Sequence, residues 1–237
     1  MTDGETIENK AADGDNGRGV LRPPSGMRYL DLEGWPRKEH FHFFRKYSYP
    51  HFNICANIDI SRLLPRVKEG GHSFYHTFIY LVSRAANDMA EFRYRIRGDG
   101  VVEHDVVHPG FTVMKGDGPY RNCAAAYESD IYEFYRSAAQ AVEALEHAGL
   151  GGNTEGRDDL LYITCMPWVA FTSCMHPLHL EPPDCIPRMA WGAYFTEHGA
   201  VKIPLSVQVH HGLMDGYHLG RYFVAMQDLA DHPERYL

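Results

Sequence analysis

The sequence of 237 residues contains no apolar run approaching the ~20 residues needed to cross a bilayer, so a membrane-spanning helix is not expected. It has no basic surplus either: acidic residues outnumber basic ones, 31 to 23, for a net charge of −8. Without a basic run or a basic amphipathic stretch, neither nucleic acid nor an anionic membrane is expected as the main partner. Cysteine is scarce. The five (Cys55, Cys123, Cys165, Cys174 and Cys185) are odd in number and include no Cys-x-x-Cys pair, which argues against a disulfide framework. The chain opens on polar residues rather than on an apolar signal sequence, so reduced thiols in a cytoplasmic protein are expected.

What is present is a core. The chain is 44% hydrophobic and 13% aromatic, enough for one large globular domain. Residues 1–26 are the exception, a polar stretch rich in Gly and Asp that ends in Arg22-Pro23-Pro24-Ser25-Gly26. It holds too few apolar groups to offset its ordering entropy, and a flexible tail is expected there, with one domain over residues 27–237.

Within that domain the pattern predicts a short strand over 28–32 and a helix from Arg37 to about Tyr47 opened by Pro36. A half-buried strand follows over 52–60, then a short helix capped by Ser61. The clearest helix runs from Ser73 to Met89, with Phe74, Phe78, Leu81, Val82 and Ala85 on one stripe. Short strands broken by Gly98-Asp99-Gly100 and Pro109-Gly110 are expected over 93–113, and a helix over 130–147. Strands over 160–165, 190–196 and 201–210 precede a last helix over 217–230. With no internal repeat and no second linker, the fold class is α/β: a single two-layer domain with a large mixed, mainly antiparallel sheet and packed helices.

The chemistry concentrates at His210-His211-Gly212-Leu213-Met214-Asp215-Gly216-Tyr217. Here an apolar strand gives way to a helix, and an imidazole on such a rigid mount can accept a proton from a hydroxyl attacking an electrophile. An ordinary structural histidine competes with this reading, since the chain has 15. A metal site built from His210, His211, Asp215 and His218 competes less well. Adjacent strand residues point to opposite faces, and no His-Glu-x-x-His motif is present.

The residues around the motif narrow the choice. Trp35-Pro36-Arg37-Lys38-Glu39-His40-Phe41, His72-Ser73-Phe74-Tyr75, Glu91-Phe92-Arg93, the segment from His104 to Val113, Pro167-Trp168-Val169-Ala170-Phe171-Thr172-Ser173, and Pro204 to His211 running into Asp215-Gly216-Tyr217-His218 resemble, in order, the chloramphenicol acetyltransferase family. The resemblance covers about residues 29–230 and implies a CoA-dependent acyltransferase fold. It implies acetyl-CoA as co-substrate, no metal, a small-molecule hydroxyl acceptor, and a homotrimer with active sites at subunit interfaces.

Carried over residue by residue, the resemblance makes His211 the general base and pairs Arg37 with Asp215, whose role is then mainly structural. The spacing by itself suggests instead an Asp215–His211 dyad. Thr164 stands where the family has a serine that donates to the oxyanion, and it keeps the hydroxyl while adding a methyl that restricts the rotamer. Tyr194 and Thr164 fall on the coenzyme side. Phe44, Cys174, His176 and Trp168 fall on the acceptor side.

Several of these positions depart from the family pattern. Phe44 replaces a tyrosine, Cys174 and His176 replace an aromatic and an aliphatic residue, Ala190 a threonine and Ala193 a lysine. Two readings therefore stand beside acetylation of chloramphenicol. One is the same chemistry on another small hydroxyl acceptor. The other is a non-catalytic trimer that binds coenzyme A or a ligand.

Overall fold

The computed structural model describes residues 26–114, 118–147, 149–181 and 184–237. The expected tail lies outside the described residues, apart from Gly26. Along the chain come β1 (Met27–Tyr29), α1 (Lys38–Phe44), β2 (His51–Asp59), α2 (Leu63–Glu69), α3 (Phe74–Asn87), β3 (Tyr94–Arg97), β4 (Gly100–His104), β5 (His108–Val113) and β6 (Arg121–Ala124). Then follow α4 (Ile131–Glu143), β7 (Leu160–Met166), β8 (Arg188–Gly192), β9 (Phe195–Glu197), β10 (Ala200–His210) and α5 (Gly216–Asp231).

The main sheet runs β2-β10-β8-β7-β5-β6, with β9 added alongside β10. It is mixed: β7 pairs in parallel with β5 and β8, and the remaining ladders are antiparallel. A separate three-stranded sheet, β1-β4-β3, flanks it. The α/β class with a large mixed, mainly antiparallel sheet is the one expected.

Strand β10 shows how the layers form. Ile203, Leu205, Val207 and Val209 alternate onto one face and pack in the main core with Phe78, Leu81 and Val82 of α3 and Leu219, Tyr222 and Met226 of α5. The intervening Ser206, Gln208 and His210 turn to the other face, yet each is at most 2% exposed. A polar strand face is thus covered, and the segment between β7 and β8 contributes to its cover, because it hydrogen-bonds Ser206 and Gln208.

Helix caps follow side-chain chemistry. The Ser73 hydroxyl accepts from His76 N at the start of α3, and Asp130 accepts from Tyr132 N and Glu133 N at the start of α4. Two expected boundaries shift. Pro36 lies in the turn before α1, which starts at Lys38; Arg37 is its N-cap and sends its side chain to Asp215. Ser61 does not cap α2: its hydroxyl accepts from Val201 N, tying the α2 entry to β10. The strand expected over 190–196 is broken into β8 and β9. Its interruption coincides with Ala193 N donating to Val169 O, where the passing segment takes a ladder position. Gly192 permits that approach, since a Cβ there would stand 2.5 Å from Val169 O.

Candidate active site

Strand alternation ends at His210, and the turn after it separates the two histidines. His210 is 1% exposed, and its Nδ1 accepts from Gly212 N at 3.0 Å. Burial, then the neighbouring His51 and His211, push its pKa down to about 3, so this ring is neutral. A Cβ at Gly212 would stand 3.0 Å from the His210 ring, which makes glycine the residue that fits the turn.

The His211 backbone is anchored at both ends, its N–H donating to Pro50 O at 2.7 Å and its carbonyl accepting from Arg37 Nη2 at 3.1 Å. Its ring stacks on Phe44 of α1, with centroids 3.9 Å apart and planes 5° from parallel, and tilts against Phe52 of β2 at 4.6 Å. His211 Nδ1 is buried and has no protein partner among the described residues. The imidazole is fixed by stacking, and among the described residues no carboxylate is hydrogen-bonded to it.

The aspartate is occupied elsewhere. Arg37 Nη1 donates to Asp215 Oδ2 at 2.5 Å, while Asp215 Oδ1 accepts from Tyr217 N as the N-cap of α5. His218 Nδ1 lies 2.8 Å from the same Oδ1, and its Nε2 is 3.4 Å from Glu91 Oε1. Burial opposes ionisation of Asp215, but the hydrogen bonds from Arg37 and His218 outweigh it and hold the carboxyl at about 2. The dyad that spacing alone suggested is not formed. Arg37 instead joins Asp215 to the His211 carbonyl, through a side chain that is 12% exposed.

Thr164 belongs to a second group. Ladder partners place Cys55, Ser206, Ala190, Thr164, Thr112 and Asn122 in one row across the sheet, on the face opposite the α3–α5 core. Side chains of directly facing residues share a face, and the Thr164 and Thr112 hydroxyls stand 3.4 Å apart. Both line a cavity of about 1340 Å³ whose walls come from both sides of the sheet. Phe74, Tyr75 and Trp191 line it from the helix side, and Thr112, Tyr162, Thr164, His176 and Arg188 from the other. Tyr194 and Trp168 reach it too, Trp168 as a residue 76% exposed.

The segment carrying Cys174 and His176 is clamped to the polar sheet face. Cys174 O accepts from Asn53 Nδ2 and from Ser206 Oγ, and His176 N donates to Gln208 Oε1 at 2.9 Å. Gln208 Nε2 in turn donates to Tyr49 Oη at 2.8 Å. Cys174 Sγ lies 3.8 Å from His176 Nε2, and burial raises the thiol pKa.

The site residues named from sequence therefore fall into two groups. His211, Phe44, Arg37 and Asp215 make one, and Thr164, Trp168, His176 and Tyr194 surround the cavity. Cys174 sits beside the second group without lining the cavity. His211 and Thr164 are two strands and about five residues apart on the sheet, on the order of 20 Å between backbones at ordinary strand spacing. Thr112, Phe52 and Arg188 are not legible as site residues in the sequence, because their places depend on strand register and on contacts distant in sequence. Among the described residues no group of three or more His, Cys, Asp or Glu could hold a metal ion, and no helix is long and apolar enough to cross a membrane.

The chloramphenicol acetyltransferase family profile matches residues 26–227. The chloramphenicol acetyltransferase of Proteus mirabilis is 31% identical over 207 residues, 87% of this chain and 95% of the relative. A solved chloramphenicol acetyltransferase superposes with a TM-score of 0.81 at 29% identity, covering 86% of this chain and all of that one. The dihydrolipoamide acetyltransferase of Azotobacter vinelandii, at 16% identity and a TM-score of 0.60, covers 93% of this chain and 94% of its own and shares the fold.

Proposed function

The chain belongs to the chloramphenicol acetyltransferase family, and on that premise we propose that it transfers acetyl from acetyl-CoA to a hydroxyl of chloramphenicol, with His211 as general base. In this reading His211 takes the proton of the acceptor hydroxyl as its oxygen attacks the thioester carbonyl. The new C–O bond forms, and the oxyanion of the tetrahedral intermediate accepts a hydrogen bond from Thr164. Collapse breaks the C–S bond, and the departing thiolate takes the proton from His211 and leaves as the thiol. Positioned proton transfer of this kind contributes about 10²–10⁴ in rate, and an oxyanion donor about 10²–10³. No covalent acyl-enzyme is required, and the raised thiol pKa of Cys174 is compatible with that.

The observation that carries the reading is the mounting of His211. Its ring is stacked on Phe44 and its carbonyl is held by Arg37, which Asp215 secures in turn. A base fixed without a carboxylate partner keeps a free ring nitrogen for the acceptor. The two-sided cavity supports a ternary complex, with coenzyme A and acceptor entering from opposite sides of the sheet and Tyr194 on the coenzyme side. The separation of His211 from Thr164 supports a homotrimer in which one subunit supplies the base to its neighbour's cavity. A cytoplasmic location with access to acetyl-CoA fits this chemistry.

A second reading keeps the mechanism and changes the acceptor, favoured by the polar His176 in the cavity wall and the exchanged Cys174 beside it. Thiol release from acetyl-CoA by the purified protein separates the two. Release that requires chloramphenicol, with a product heavier by one acetyl group, is the expected result. Release that requires a different hydroxyl compound would give the second reading, and acetyl-CoA binding without any acceptor-dependent release would reject both.

A further inference from the structure

One pleat from Thr164 stands a charged group that the transfer reaction does not use. Arg188 and Tyr162 are register partners on β8 and β7, in the row next to the one holding Ala190 and Thr164. Residues two apart on a strand are about 7 Å apart. Arg188 is 8% exposed and still lines the cavity. Its guanidinium lies over the Tyr162 ring, 5.1 Å from the centroid, with Nη2 donating to Asp184 Oδ2 at 2.5 Å and Nη1 to Ile186 O at 3.0 Å. A guanidinium carries five N–H groups, so donors remain beyond those two bonds. His176 closes the same corner, because its N–H is held by Gln208, the register partner of Arg188 on β10. Burial, then the charge of Arg188, keeps that imidazole neutral.

We propose that Arg188, with Tyr162 and His176 beside it, forms a specificity subsite for a neutral hydrogen-bond-accepting group, such as a carbonyl, sulfonyl or nitro group, that the acceptor carries one pleat from Thr164. The proposal rests on the acetyl-transfer reading and adds the class of acceptor. Asp184 already neutralises Arg188, so a carboxylate on the acceptor would be desolvated beside a second carboxylate. An apolar group would leave buried N–H donors unpaired, and sites built to hydrogen-bond a substrate discriminate strongly against analogues lacking the partner. A neutral acceptor group meets the unused donors without either cost.

Calorimetric binding to the full-length protein in the presence of coenzyme A tests this with four compounds: chloramphenicol and analogues with its nitro group replaced by methylsulfonyl, hydrogen or carboxylate. The nitro and methylsulfonyl compounds should bind at least about tenfold more tightly than the other two. In Arg188→Met the preference over hydrogen should collapse to within about twofold. Because that variant strands Asp184, the double variant Asp184→Asn, Arg188→Met should give the same collapse, with circular dichroism confirming its fold. Equal affinities in the wild type, no binding of any compound, or a preference that survives in both variants would overturn the subsite; if neither variant folds, the wild-type ranking decides. Turnover measured in parallel reports on acetyl transfer separately: compounds bound in the expected order but never acetylated would reject the function and leave the subsite standing.

Discussion

Thr164 presents its hydroxyl on a β-branched side chain, whose χ1 is more restricted than that of serine. Its oxygen lies 3.4 Å from that of Thr112, facing the cavity. If this hydroxyl is the oxyanion donor, Thr164→Ala should lower kcat by about 10²–10³, while Thr164→Ser should stay within a few-fold of the wild type. Steady-state kinetics of both variants checks this, and equal losses would remove the hydroxyl from the mechanism. At this scale the sequence is legible where one motif carries a role, as at His211. It is not legible where two residues meet across 174 positions, as Arg37 does with the His211 carbonyl. Spacing suggested that Asp215 serves the imidazole, and only the resemblance pointed to Arg37. The resemblance marks Phe44 as a site residue, but its stacking on His211 has no sequence signal.

Helix α5 depends on the same aspartate twice, since Asp215 is its N-cap and the partner of Arg37. Asn keeps a capping oxygen and loses the charge, whereas Ala loses both. Asp215→Ala should therefore unfold more easily than Asp215→Asn by about 1 kcal/mol, the usual worth of a cap. Both variants should lose activity, because the His211 carbonyl loses its tethered arginine. Urea denaturation with parallel assays measures the two effects; a fully active Asp215→Ala would show that the tether is dispensable. Elements with long apolar stripes and side-chain caps, such as α3 and α4, were readable from periodicity. The four-residue β6 was not, nor was the pairing of the expected short strands β1, β3 and β4 into a sheet of their own, because pairing is set by partners elsewhere along the chain. Ser61 has the propensity of a cap, but its hydroxyl is taken by the tertiary contact with Val201 N.

At the scale of the whole molecule, buried histidines set the pH response. Burial lowers the pKa values of His51, His76, His176 and His210, the last to about 3. The unfolded chain takes up these protons near 6.5 and the folded chain resists them. Their contribution is complete above that pH and is lost as pH falls, for His210 until about 3, at about 1.4 kcal/mol per pH unit for each fully coupled proton. The depressed Asp215 works in the same direction at lower pH, between its unfolded value of 3.8 and about 2. The urea midpoint should thus be lower at pH 5 than at pH 7.5, and His210→Gln should narrow the difference. An unchanged midpoint would mean that these rings take up protons without unfolding.

The distance between His211 and Thr164 within one chain also belongs to this scale. If the base of one subunit serves the cavity of the next, oligomers reassembled from His211→Ala and Thr164→Ala subunits should recover activity that neither parent has. Recovery no greater than the sum of the parents would place both groups in one chain's site.

The most direct test of the account compares wild type and His211→Ala in chloramphenicol-dependent thiol release from acetyl-CoA, with fold and assembly checked by circular dichroism and sedimentation. The account predicts acceptor-dependent release by the wild type and a loss of about 10²–10⁴ in kcat in a variant that remains folded. A folded His211→Ala with near wild-type turnover would contradict it.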